Sequence, residues 1–170
     1  MVRARRLPNL SVVTNPLPTS DPADGPCNED GQWACSLRVM TMPRDTNQYG
    51  TIFGGVILSA IDQAAFVEAR RHGVHRWVTA SVDRVEFSEP VHVGDLVTCL
   101  TRTTRKGTSS VTVEVCVDAD RYEGGETVRV TKAQLTMVAI GPDGRPVPMT
   151  SPATAHLPLV DASTDRPPSP

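Results

Sequence analysis

Long apolar stretches are missing from this sequence. No uncharged apolar run reaches the roughly 18 residues that a transmembrane helix needs, and the first residues lack the apolar centre of a secretory signal peptide. Arg3, Arg5 and Arg6 are typical of an organelle transit peptide, but the prolines that follow oppose the amphipathic helix that such a peptide forms. We therefore predict a soluble, cytoplasmic protein that is not exported and has no membrane partner.

Charge of one sign is also scarce, since the formal net charge is only −2. Nucleic acids and anionic membranes are bound chiefly through extended positive surfaces. The charge balance therefore predicts no nucleic-acid partner, although it is compatible with a local basic pocket.

Motifs for metal sites and for two common classes of hydrolase are absent. The cysteines show neither Cys-x-x-Cys spacing nor clustering with histidine, which predicts no zinc site, no disulfide framework and a reducing compartment; they are Cys27, Cys35, Cys99 and Cys116. The histidines lack the glutamate of a metalloprotease helix, and no Gly-x-Ser-x-Gly motif is present. Any enzymatic activity is therefore expected to need no metal, no cofactor and no serine nucleophile of the α/β-hydrolase type.

At 170 residues the chain has the length of a single domain. Prolines without periodicity are frequent in residues 1–30 and 150–170, which we predict to be flexible tails. The folded domain is therefore predicted to span residues 31–149.

The region between the tails shows the pattern of one strand, one long helix and four further strands. We predict strands over residues 33–40, 77–87, 95–104, 109–118 and 127–140, and a helix over residues 54–72 that ends at Gly73. Changes of apolar parity near Asp83 and near Thr131 predict a β-bulge in each of those two strands. One helix with about five strands indicates an α+β fold in which an antiparallel sheet wraps the helix.

Asp62 is the one charge in the nearly all-apolar run 56–67 of the predicted helix. A helix that is apolar on almost every side must bury more of its surface than one sheet can cover, which predicts dimerisation. A buried carboxylate is costly unless it is paired or hydrogen-bonded. Asp62 is therefore either a structural residue satisfied by Ser59 or by backbone donors, or a general base or nucleophile.

Three other segments allow both a structural and a chemical interpretation. Gly54 and Gly55 permit close packing, but Gly55 also lies about two helical turns before Asp62, so that free helix N–H groups and a carboxylate would share one face. Asn47 is typical of a turn. The polar hairpin formed by Arg105, Lys106, Gly107, Thr108, Ser109 and Ser110 has the cations, hydroxyls and glycine turn that suit a phosphate group.

Four segments, in this order, resemble the hotdog-fold acyl-CoA thioesterases of the bacterial YciA type and their brain acyl-CoA hydrolase relatives. The first is MPRDTNQYGTIFGGVILSAID at residues 42–62, and the others are VTASVDRVEF at 78–87, PVHVGD at 90–95 and RKGTSSV at 105–111. Together they extend the resemblance over residues 37–148, most of the chain.

The resemblance implies the hotdog fold, in which one long central helix is wrapped by a five-stranded antiparallel sheet that dimerises sheet to sheet. It also implies a homodimer and, beyond it, a homohexamer built as a trimer of dimers. It places the catalytic carboxylate at Asp62, and it implies that Asn47 completes the active site from the other subunit.

The same resemblance implies roles for the remaining segments. The Gly55 N–H would stabilise the oxyanion of a thioester carbonyl at the positive end of the helix. The hairpin 105–110 would hold the anionic part of coenzyme A. Phe53 stands where many other hotdog enzymes carry histidine, so a histidine-based dehydratase mechanism has no residue to use.

The sequence thus predicts a hydrolase that converts an acyl-CoA substrate to a free fatty acid and coenzyme A. One alternative is a non-catalytic acyl-CoA-sensing hotdog module, but such regulators carry a DNA-binding helical unit, and the proline-rich start shows no helix-turn-helix pattern. The other alternative is a structural scaffold, which leaves the placement of Asp62 unexplained.

Overall fold

The computed structural model describes residues 33–156, apart from the side chain of Arg84. Its elements are the strands and helix expected from the sequence, together with a short 3₁₀ helix, Pro43–Asp45. They are β1 (Ala34–Met40), α1 (Gly54–Arg70), β2 (Arg76–Phe87), β3 (Leu96–Lys106), β4 (Ser110–Asp120) and β5 (Thr127–Ile140). The one α-helix of this region is not long and apolar enough to cross a membrane.

The five strands form one antiparallel sheet in the order β1-β3-β4-β5-β2. Strands β3, β4 and β5 are joined by hairpins, whereas β1 and β2 lie at the two edges and flank the helix in the chain. This arrangement confirms the predicted α+β architecture, with α1 packed on one face of the sheet.

The core lies between α1 and the inner face of the sheet. Strand β4 supplies Val111, Val113, Val115 and Val117, which are at most 1% exposed. Burying a valine side chain stabilises a fold by about 1.5–3 kcal/mol relative to leaving it exposed. The predicted dry face of β4 is therefore confirmed, but the opposite face is not uniformly wet, because Cys116 packs with Trp33 and Leu100.

Both predicted β-bulges are present. Between β2 and β5, Asp83 pairs with Gln134 and Glu86 with Lys132, so β2 carries an extra residue just after Asp83. Between β4 and β5, Val117 pairs with Thr131 and Asp118 with Arg129. The residue left over in β5 lies beside Thr131, as its change of apolar parity predicts.

The start of α1 is held in place by the chain before β3. Phe53, in an extended conformation, precedes the first helical residue, and the Ile52 N–H donates to the Val91 carbonyl at 2.8 Å. The helix ends at Arg70, two residues earlier than predicted. Gly73 follows with φ of 152°, a conformation that favours glycine.

Asp95 anchors the loop that carries Val91. Its carboxylate accepts hydrogen bonds from Arg121 at 2.7 Å and from the His92 N–H at 2.9 Å. Burial opposes ionisation, but these donors outweigh it and hold the pKa of Asp95 below its ordinary value. The ion pair thereby ties the segment before β3 to the end of β4.

Packed structure continues beyond the predicted boundary at residue 149. Thr154 is buried, and its hydroxyl donates to the Ile140 carbonyl at 2.8 Å while it accepts from the Arg76 N–H at 3.0 Å. Residues 150–156, assigned to the C-terminal tail from the sequence, are therefore partly integrated into the domain. The rest of that tail and the tail 1–30 lie outside the described residues.

The cysteines of the described region differ in state. Cys35 and Cys99 are free thiols, and burial raises the pKa of Cys99 to about 12, which leaves its thiol unreactive. Cys116 is disulfide-bonded. The sequence predicted no disulfide framework, so this bond departs from the expectation of reduced cysteines.

Candidate active site

Helix α1 presents two different faces in a single subunit. Its inner face packs on the sheet and is buried; it consists of Ile57, Ala60, Ile61, Ala64, Ala65, Glu68 and Ala69. Its outer face is uncovered, and Leu58 and Phe66 on it are both 41% exposed. The uncovered outer face agrees with the expectation that one sheet does not provide all the cover that this helix needs, because a single sheet covers one side of a helix.

Asp62 lies on this uncovered face and is exposed. The premise of a buried, costly carboxylate therefore does not hold within one subunit. The expected structural partner, Ser59, forms no hydrogen bond with Asp62 in the described region; its hydroxyl accepts one from Gln63 at 3.1 Å.

Thr79 of β2 is the partner of Asp62. The Thr79 hydroxyl donates to Asp62 Oδ1, which fixes the carboxylate against the edge strand. Oδ2 of Asp62 accepts no hydrogen bond from any described residue, so it is free to accept one from water. Thr79 lies in the second motif but was not predicted as a site residue, because only the packing of β2 beside α1 brings its side chain to Asp62.

The glycine pair at the start of α1 leaves donors open. The Val56 N–H donates to the Phe53 carbonyl at 2.9 Å, whereas the N–H groups of Gly54 and Gly55 donate to no acceptor among residues 33–156. Both groups lie at the positive end of the helix. A Cβ on Gly55 would come within 2.9 Å of the Phe53 ring, so the ring closes this position to larger residues unless it moves.

Asn47 behaves as a turn residue within its own subunit. Its amide donates to the Thr51 hydroxyl at 2.9 Å, and its Oδ1 accepts from the Tyr49 N–H at 2.8 Å. No hydrogen bond between Asn47 and Asp62 is present in the described subunit. A role for Asn47 in completing the site of another subunit stays a prediction.

The polar hairpin joins β3 to β4, with residues 107–109 at its tip. Arg105, Lys106 and Thr108 are exposed, and the two cations form no ion pair with any described residue. The hydroxyls of Ser109 and Ser110 are likewise without a hydrogen-bond partner in this region. Six consecutive residues thus present two unpaired cations and three uncommitted hydroxyls.

The turn glycine of the hairpin is committed to a local hydrogen bond. The Gly107 N–H is not free to bind an anion, because it donates to the Ser110 carbonyl at 2.8 Å. A Cβ at Gly107 would lie 3.0 Å from the Ser110 hydroxyl oxygen, so the Ser110 side chain would have to shift to admit one. The hairpin therefore presents the side chains of Lys106 and its neighbours to an anion, and not the N–H group of its glycine.

A metal centre is not formed by the described residues, which contain no group of three or more His, Cys, Asp or Glu side chains able to hold an ion. The groups that the described residues present at α1 are one carboxylate, one hydroxyl and two backbone donors. This set can polarise a carbonyl and activate or deliver a nucleophile.

A family model described as the thioesterase superfamily matches residues 49–122 of the chain. This range contains Asp62, Thr79 and the polar hairpin, and it begins two residues after Asn47.

Curated relatives extend the likeness. The acyl-CoA thioester hydrolase YciA of Salmonella typhimurium is 36% identical over 116 residues, which are 66% of this chain and 87% of the relative. The uncharacterized acyl-CoA thioester hydrolase YkhA of Bacillus subtilis is 40% identical over 107 residues, which are 63% of this chain and 62% of the relative.

Solved structures agree in fold. A hexameric hotdog fold thioesterase of Campylobacter jejuni has a TM-score of 0.64 and 41% identity, over 67% of this chain and 88% of that one. An acyl-CoA hydrolase from Staphylococcus aureus has a TM-score of 0.61 and 31% identity, over 69% of this chain and 71% of that one. Its structure was solved in complex with butyryl coenzyme A, coenzyme A and coenzyme A disulfide. The chain belongs to the hotdog-fold acyl-CoA thioester hydrolases of the thioesterase superfamily.

Proposed function

We propose that this protein hydrolyses acyl-CoA to a free fatty acid and coenzyme A. The observation that carries the proposal is the shared face of α1, where the open N–H groups of Gly54 and Gly55 precede Asp62, whose carboxylate is oriented by Thr79. The named activity of the relatives supports the same reaction class.

Asp62 supplies the chemical step by one of two routes. As a general base, it takes a proton from water through the free Oδ2, and the hydroxide oxygen attacks the thioester carbon. As a nucleophile, the carboxylate attacks that carbon itself, forms an anhydride and is released by water. In both routes the C–S bond breaks, and the sulfur leaves as the thiolate of coenzyme A, which takes up the proton released by the water. The oxyanion is stabilised at the Gly55 N–H.

A shared site between two subunits is the second part of the proposal. The uncovered face of α1 carries large apolar side chains, and β2 lies at the edge of the sheet beside it; the exposed residues include Leu58, Phe66, Val67, Val78 and Val82. A second copy joined edge to edge at β2 would cover this surface, and it would bring its Asn47 to the site. The hexameric relatives support a homohexamer, which we propose to be a trimer of such dimers.

The hairpin of β3 and β4 is proposed to hold the phosphates of coenzyme A. We expect the double variant Arg105→Ala, Lys106→Ala to raise KM for acyl-CoA about tenfold or more and to leave kcat nearly unchanged, because phosphate contacts act equally in ground and transition states. The salt dependence of KM should also flatten.

A matched double variant, Arg44→Ala with Arg145→Ala, removes the same charge from exposed positions elsewhere. It should leave KM and its salt dependence close to those of the wild type. If the two double variants are indistinguishable across ionic strength, the hairpin does not bind the phosphates.

A non-catalytic acyl-CoA-binding module is the alternative, since unpaired cations at the hairpin would bind coenzyme A whether or not turnover follows. Release of free thiol from a panel of acyl-CoA substrates separates the two functions. We expect multiple turnovers per subunit. Binding of acyl-CoA without thiol release would establish a sensor. A protein that neither binds acyl-CoA nor releases thiol would be a scaffold. A cytoplasmic location stays a prediction of the same proposal.

A further inference from the structure

Two basic segments that are far apart in the sequence meet at one end of the molecule. Arg70 and His72 stand at the end of α1, and Arg105 and Lys106 stand at the end of β3. They are brought together because His72 Nε2 lies 2.7 Å from the hydroxyl oxygen of Thr103, two residues before Arg105. The helix end therefore adjoins the proposed phosphate-binding hairpin.

The buried Glu68 decides which nitrogen of His72 carries the proton. The Thr103 hydroxyl donates its single hydrogen to Glu68 Oε1 at 3.0 Å, and Thr101 donates to the other carboxylate oxygen at 3.1 Å. The Thr103 oxygen must then accept from the Nε2–H of His72. Neutral His72 consequently has an unprotonated Nδ1, which bonds to no described residue and is where a second proton adds.

Burial and the neighbouring cations favour the neutral form of His72. Burial lowers the pKa of His72 most, Lys106 of β3 lowers it further, Glu68 of α1 raises it and Arg71 lowers it. Arg71 is itself paired with Glu68 at 3.4 Å. An anion placed beside Lys106 would offset the repulsion from both cations and would accept a hydrogen bond from a protonated Nδ1.

We propose that His72 is a further phosphate-binding residue, which takes up a proton from solvent at Nδ1 when a phosphate of coenzyme A binds beside Lys106. The proposal rests on the proposed function of the hairpin. It assigns to Glu68, through Thr103, the role of a positioning residue that keeps Nδ1 directed away from the core contact.

The sign of the pH dependence follows by linkage. Because the bound phosphate raises the proton affinity of His72, binding and protonation strengthen each other by the same factor. Affinity gained through His72 is therefore present at low pH and is lost as pH rises through the pKa of the bound state. A protein without this coupling would show the pH dependence of the ligand alone.

The test is titration calorimetry of the full chain with coenzyme A at about pH 8 and about pH 6, the range in which imidazole changes charge. His72→Gln is the informative variant, since its amide can still donate to Thr103 but cannot gain a proton. Relative to this variant, wild-type affinity should improve about fivefold or more between the two pH values. Comparing the two proteins cancels the protonation of the ligand phosphate.

Proton uptake gives a second, independent readout. Titrations near neutral pH in buffers of different ionisation enthalpy should show net uptake on binding to the wild type and to His92→Gln, a control in which an exposed histidine before the opposite end of β3 is changed. The uptake should be lost in His72→Gln. Equal uptake and equal pH dependence in all three proteins would overturn the proposal.

Thiol release by the wild type at about pH 8, where imidazole is neutral, keeps the two proposals apart. If the wild type releases thiol at about pH 8 but shows no His72-dependent proton uptake on binding coenzyme A, the role of His72 is refuted and the proposed hydrolase activity stands. Uptake without hydrolysis would support the phosphate site and refute the hydrolase.

Discussion

Asp62→Asn is expected to lower kcat by a factor of about 10²–10⁴, the usual cost of losing a positioned base. The amide oxygen can still accept the hydrogen bond from Thr79, so the contact between α1 and β2 should survive. Because Asp62 is exposed within its subunit, the change should disturb folding little. The measurement is kcat for thiol release together with the size-exclusion elution volume.

Two further variants separate chemistry from structure. Asp143→Asn makes the same chemical change at an exposed turn and should leave kcat unchanged. Thr79→Val deletes the hydroxyl that orients Asp62 and should lower kcat, but by less than Asp62→Asn does, since the base remains. Activity of Asp62→Asn within a few-fold of the wild type, with elution unchanged, would return Asp62 to a structural role.

A mixture of two inactive variants is expected to regain about a quarter of wild-type activity if the site is shared between subunits. Suppose that Asn47→Ala and Asp62→Ala are each nearly inactive, and that equal amounts are unfolded, mixed and refolded. Random pairing makes about half of the dimers mixed, and each mixed dimer has one intact site and one doubly damaged site. If both residues act within one subunit, no mixed dimer has an intact site.

Asn47 needs its own control because it holds a turn together. Thr51→Val removes the acceptor of the Asn47 amide without changing Asn47 itself. If Thr51→Val is as inactive as Asn47→Ala, the turn and not the Asn47 side chain matters. With subunit exchange established by mass spectrometry, a refolded mixture no more active than its components would rule out the shared site.

Local features of the fold were predictable from the sequence. The start of α1 at Gly54, the bounds of β5 at Thr127–Ile140 and the bulges near Asp83 and Thr131 all follow from glycine placement and from the side-chain period of a strand. The candidate base Asp62 and the hairpin 105–110 were found in the same way, because a charge in an apolar run and a polar turn between two strands are visible in a few consecutive residues.

Contacts between distant segments were decided only by the tertiary structure. The partner of Asp62 is Thr79 and not Ser59, and His72 adjoins Thr103, since both contacts depend on how α1 packs against the sheet. An apolar pattern shows that the helix must be covered, but it does not show which side one subunit covers. Asp62 lies on the open face of α1, because one sheet shields only one side of a helix.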